Sequence, residues 1–66
     1  MIRVNGVERA WRGGTVAGLL AEQGIDAARP GIAVAVNGRV VPRAEWGERT
    51  IDAGDEVDIV GAVAGG

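Results

Sequence analysis

Ile32-Ala33-Val34-Ala35-Val36-Asn37-Gly38-Arg39-Val40-Val41-Pro42 is the stretch that decides the fold. Large and small apolar residues alternate through Val36, which is the period of a strand with one covered face. The alanines between them imply that something lies close to the other face, so this strand is expected to be central. Asn37-Gly38 follows, the strongest short hairpin signal, because both turn residues need positive φ. Arg39–Val41 is the return strand and Pro42 ends it. Pro42 to Trp46 reads as one helical turn with proline at its start.

Working outward, the N-terminus repeats the pattern. Ile2 and Val4 alternate with Arg3, then Asn5-Gly6 precedes Val7-Glu8-Arg9-Ala10-Trp11. Strands are expected at about 1–5 and 7–12, with Trp11 in the core. Gly13-Gly14 breaks the run, and Thr15 is an N-cap type placed just before an apolar stripe. Val16, Leu19 and Leu20 share one helical face, so a helix is expected at about 15–23 with Gly24 just past its end. Gly18 costs so short a helix about 1 kcal/mol relative to alanine. Residues 25–31 form a loop. Asp52 to Asp55 is a turn, with Asp55 capping it, and Glu56 to Val60 is the last strand with Val57 and Ile59 inward.

The order is therefore β-β-α-β-β-β, an α+β arrangement with a short helical turn between the last two strands. A right-handed connection through the helix sets the first and last strands parallel and adjacent. One main helix then crosses a mixed five-stranded sheet, which is the β-grasp, or ubiquitin-like, architecture. Residues 1–66 make a single domain, since 66 residues leave no interior for a second. Residues 61–66 are expected to be a flexible C-terminal tail.

Composition narrows the chemistry. The chain has no Cys, His, Lys, Ser, Tyr or Phe, and all seven basic residues are Arg. The thiol and serine nucleophiles, the imidazole base and the Schiff-base lysine are thus missing, as are the usual zinc ligands. A net charge of −2 lacks the basic footprint that nucleic acid or an anionic membrane requires. No apolar run approaches a membrane span or a signal peptide, so the expectation is a cytoplasmic protein. With no cysteine there is no disulfide framework.

Few groups remain. Arg12-Gly13-Gly14-Thr15 at a helix start could attract an anion, but it lacks the lysine and spacing of a phosphate loop and reads better as a turn with an N-cap. Glu45, Glu48, Asp52, Asp55, Glu56 and Asp58 lack a calcium-loop pattern and read as a solvated face. Arg43 and Trp46 lie three apart on the helical turn. They serve either as a rim of the core, the favoured reading, or as partner contacts. Val60, Ala62 and Val63 either pack under the sheet edge or form an apolar docking face. The sequence ends in Gly65-Gly66. It reads either as a frayed end or as a tail whose glycines, without side chains, thread a narrow channel and present the Gly66 carboxylate, ionised at neutral pH, to another protein's active site.

Taken together these residues resemble the ThiS family of thiamine-biosynthesis sulfur carriers. The resemblance is carried by Ile2-x-Val4-Asn5-Gly6, Thr15-Val16 with Leu19-Leu20, Ala33 to Gly38 followed by Val41-Pro42-Arg43-x-x-Trp46, Gly54-Asp55, and Ala62-Val63-x-Gly65-Gly66. It implies a carrier and not an enzyme, with no bound cofactor and no metal. A ThiF-type, ubiquitin-activating-like adenylyltransferase would use MgATP to adenylate Gly66. A persulfide from a cysteine desulfurase system would replace AMP, and a ThiG-type thiazole synthase would take the sulfur from the Gly66 thiocarboxylate. Gly65, Ala64 and Val63 would enter the partners' active sites, with Val60, Ala62, Arg43 and Trp46 as further candidate contacts. Gly18 and Gly61 depart from the family pattern, the first at the capping-box position. Two alternatives stay open: a molybdopterin-synthase small-subunit type of carrier, and a ubiquitin-like binding module with an inert terminus. A monomer of marginal stability, a few kcal/mol, is expected.

Overall fold

Each Asn-Gly pair does build a tight turn. Asn5 and Gly6 take φ of 50° and 83°, Asn37 and Gly38 52° and 81°. Two consecutive positive φ values match the right-handed twist of the flanking strands, so the hairpins close without splaying. The structure, a computed structural model, describes residues 1–61. The first hairpin joins β1 (Ile2–Val4) to β2 (Val7–Arg9), and the second joins β3 (Ile32–Val36) to β4 (Arg39–Val41). Between them runs α1 (Val16–Glu22), and a 3-10 turn (Arg43–Glu45) leads toward β5 (Glu56–Gly61).

The sheet order is β2-β1-β5-β3-β4. β1 and β5 are parallel, and every other pair is antiparallel. This is the expected mixed five-stranded β-grasp, with β5 in the middle. β3 is an interior strand too, flanked by β5 and β4. Its second face is not covered as expected: Ala33 is exposed among the described residues and Ala35 only half-buried. β2 stops at Arg9 and not at residue 12, because Arg9 pairs with Ile2, the first residue of β1. Trp11 therefore lies beyond the strand, half-buried against the core edge, with Nε1 donating to the Ile51 carbonyl at 2.8 Å.

The helix is made at its ends as the sequence requires. Thr15 is the N-cap, its hydroxyl accepting from the Gly18 N–H at 3.2 Å. At the other end the Ile25 N–H donates to the Leu20 carbonyl and the Gly24 N–H to the Ala21 carbonyl, a Schellman closure. Val16, Leu19 and Leu20 are buried against Ile2, Val4, Val34, Val36 and Val57 of the sheet. Trp46 and Ile51 complete the core from the long connection before β5. Burying side chains of this size stabilises by about 1.5–3 kcal/mol each, against the ordering entropy of the chain.

That connection does more than the sequence reading allowed. The Val16 N–H donates to the Arg49 carbonyl, the Ala17 N–H to the Trp46 carbonyl, and the Ile51 N–H to the Gly14 carbonyl, each at 2.9 Å. Thr15 and Thr50 form a bridge between the two segments. The helix donors that Thr15 leaves free are thus taken by chain some thirty residues later. The residues expected in the tail need one correction: Gly61 is the last residue of β5, paired with Ile32. The rest of the tail, residues 62–66, lies outside the described residues.

Candidate functional site

β5 is the described strand that leads toward the C-terminal residues singled out in the sequence. Its first residues are held from both sides. Arg3 and Val4 of β1 pair with Glu56 and Val57, and Val36 of β3 pairs with Val57. The Asn37 side chain adds to this, accepting from the Glu56 N–H at 2.9 Å and donating to the Asp55 carboxylate at 3.0 Å. Asp55 also accepts from the Asp52 N–H at 2.9 Å, closing the turn before the strand as expected. The Asp52 N–H, and then the Asn37 amide, hold the Asp55 carboxyl below the usual aspartate range, with Arg49 assisting by charge.

The far end of β5 is held differently. β1 ends at Val4, so the strand runs past its neighbour. Asn5 extends the grip by one step: its N–H donates to the Val57 carbonyl at 2.9 Å, and its side-chain oxygen accepts from the Ile59 N–H at 2.8 Å. Both hairpin asparagines therefore moor the same strand. The Asn-Gly signal is visible in the sequence, but nothing in it shows where those side chains reach.

The predicted contact residues separate. Val60 is 65% exposed and faces away from the helix, beside Ala33 of β3. Val40 of β4 is 73% exposed and sits opposite Ala35. Val60, Ala33, Ala35 and Val40 thus form an apolar corner on the open face of the sheet, bordered by Asp58. The other half of that face is charged, with Glu8, Arg3 and Glu56 in one row. The Arg3–Glu8 pair in that row is 3.9 Å apart and solvated, so it stabilises little. Of the two alternatives for Val60, packing under the sheet edge is excluded and exposure on an open face is found.

Trp46 does not offer a contact surface. It is 3% exposed, and its Nε1 donates to the Val41 carbonyl at 2.9 Å, because the 3-10 turn folds the indole back under β4. The Arg43 guanidinium stacks on that indole, 4.5 Å from the ring centroid. It also donates to the Arg29 carbonyl at 2.7 Å and to the Ala27 carbonyl. Arg43 fastens the loop after α1 to the core rim, which is the structural role favoured from the sequence. The anion reading of Arg12 to Thr15 fails on bonding. The N–H groups of Val16, Ala17 and Gly18 already donate to the Arg49 carbonyl, the Trp46 carbonyl and the Thr15 hydroxyl. The remaining site residues, Ala62, Val63, Ala64, Gly65 and Gly66, lie outside the described residues.

The pattern of the ThiS family matches residues 2–66 of this sequence. The chain belongs to the ThiS family. Among solved structures, this ThiS-family chain is similar to a crystal structure of a thiamine biosynthesis protein (ThiS) from Geobacter metallireducens. The two are 26% identical with a TM-score of 0.80, over 98% of this chain and 97% of that one. A solution NMR structure of a thiamine biosynthesis protein from the same organism is also 26% identical. Its TM-score is 0.78, over 98% of this chain and 86% of that one. No match to a curated protein reaches significance.

Proposed function

We propose that this ThiS-family chain is a sulfur carrier in thiamine biosynthesis, acting as the substrate of partner enzymes and catalysing nothing itself. The observation that carries the reading is the family match, which runs through Gly66. The chemistry follows from the group left available. A carboxylate resists nucleophilic attack, so the Gly66 carboxylate must first be activated. Attack of its oxygen on the α-phosphorus of MgATP, in a ThiF-type adenylyltransferase, forms the acyl adenylate and releases pyrophosphate. The persulfide of a cysteine desulfurase system then displaces AMP, and a thiol cuts the resulting S–S bond to leave the Gly66 thiocarboxylate. A ThiG-type thiazole synthase takes the sulfur.

Gly65, Ala64 and Val63 serve as the thread into those active sites, where small residues suit a narrow channel. The apolar corner of Val60 with Ala33, Ala35 and Val40 supplies a docking contact, and Ala62 is a further candidate contact by sequence. Composition supports the same division of labour. A chain without cysteine holds no persulfide of its own, and a chain without lysine offers no ε-amine to capture its own activated acyl group. No helix among the described residues is long and apolar enough to cross a membrane, and we place the carrier in the cytoplasm with its enzymes.

Intact-mass spectrometry tests the proposal. The full chain is incubated with its host's adenylyltransferase, MgATP, cysteine and a desulfurase. The expected result is a gain equal to one sulfur replacing one oxygen, located on Gly66 by fragmentation. No gain with a partner set proven active on another carrier overturns it and leaves a binding module with an inert terminus.

A further inference from the structure

The free edge at the end of β5 is the strongest feature that the carrier reading does not use. In this strand alternate residues turn their backbone groups toward β1 and toward β3. Val57 and Ile59 face the β1 side, since the Val57 carbonyl accepts from Asn5 and the Ile59 N–H donates to the Asn5 side chain. By the same alternation the Ile59 carbonyl and the Gly61 N–H face that side too. Among the described residues the pairing of β5 with β1 covers only Glu56 and Val57, so these two groups have no strand beside them. An unpaired strand edge is a template for another strand.

The edge is not a bare rim. It forms one wall of a cleft of about 360 Å³ between β5 and the loop after α1. Ile25, Ile32 and Ile59 supply apolar lining, and the cleft is also lined by Arg29 and by Asp26, whose carboxylate already accepts from the Ala28 N–H. All three isoleucines are only partly buried, so apolar surface remains to be covered. Arg29 makes no ion pair among the described residues.

We infer that this cleft receives an extended segment of the enzyme that activates Gly66, added as a strand along the end of β5. The inference rests on the carrier reading. The occupant is set by reach: the five residues after Gly61 span at most about 17 Å when extended. An enzyme holding Gly66 at its reacting centre therefore lies within that distance of Gly61, which lines the cleft. The segment that fits accepts from the Gly61 N–H, donates to the Ile59 carbonyl, and places an aliphatic side chain on the three isoleucines. A carboxylate beside it meets Arg29. Main-chain pairing of this kind gives affinity, and the pocketed side chain gives selectivity.

The test is an NMR titration of the isotope-labelled full chain with the purified adenylyltransferase, without ATP. The expected result is slowed amide exchange at Gly61 together with shifts of the Ile25, Ile32 and Ile59 methyl groups. Arg29→Glu, at an exposed position, should weaken binding about tenfold while its free spectrum stays folded. Binding that perturbs only the open face around Val40 and Val60 overturns the cleft as the docking site. So does a shift of the cleft methyls on deleting residues 62–66 from the free chain, which assigns the cleft to the chain's own end. The sulfur-for-oxygen mass gain on Gly66 is read separately. With that gain and no cleft perturbation, the carrier reading stands and this inference falls. With neither gain nor binding, both fall.

Discussion

The two ends of β5 are built from the same materials and held to different degrees. At the start, Asn37 uses both atoms of its amide, on the Glu56 N–H and the Asp55 carboxylate, and strands flank both sides. At the end, Asn5 uses its side-chain oxygen alone, on the Ile59 N–H, and one edge stays open. The same dipeptide, in the same left-handed conformation, closes both hairpins. The difference lies in what each asparagine reaches. A strand gripped at its root can keep an open edge at its tip without loosening the fold.

The largest expected effect is at the root. Val57 is fully buried, and Val57→Ala should cost about 2–4 kcal/mol, enough to leave much of so small a domain unfolded, as urea unfolding will show. Val60→Ala, three residues along, should leave the unfolding midpoint within about 0.5 kcal/mol of the parent. If the two substitutions cost the same, the contrast between root and tip is wrong.

Next come the moorings. Asn→Gly keeps the positive φ and removes only the side-chain bonds. Asn37→Gly should cost about 1–2 kcal/mol and Asn5→Gly about 0.5–1, following the bonds each loses. Amide exchange sharpens the assignment: Asn37→Gly should speed exchange at Glu56, and Asn5→Gly at Ile59. Equal acceleration at both amides in either variant would show that the moorings act as one unit.

The smallest effect is in pH. The Asp55 carboxyl is held below its ordinary value of 3.8, so its contribution to stability is complete above that value. It is lost as pH falls through the lowered folded value, because the unfolded chain then binds the proton first. Thermal melts taken below pH 4 should show this loss, and a smaller one in Asn37→Gly, which removes one of the groups favouring the charged form.

Much of this was legible in the residues. The two Asn-Gly turns, the stripe of Val16, Leu19 and Leu20, and inward Val57 and Ile59 fix the element order, because local turn chemistry and periodicity carry them. What was not legible is non-local. Ile51 stands alone between Thr50 and Asp52, with no periodic partner to mark it, yet it is 1% exposed in the core. Asn5 and Ile59 are 54 residues apart, and no spacing rule joins them. The spacing of Arg43 and Trp46 favours a core rim over a partner contact, but only the turn of the 3-10 segment shows how fully the indole is buried. Gly65 and Gly66 stand out by residue type and family resemblance, a kind of signal that geometry does not supply.

The clasp at the helix entrance has a consequence for how the chain is made. α1 has seven residues, too few to persist alone, and two of its first donors wait for the carbonyls of Trp46 and Arg49. β1 waits longer still, for β5. On the ribosome the emerging chain has hairpins to try but no lasting helix and no central strand until β5 itself has been made. Folding of this chain is a late, concerted event of high contact order, slower than its size alone would set.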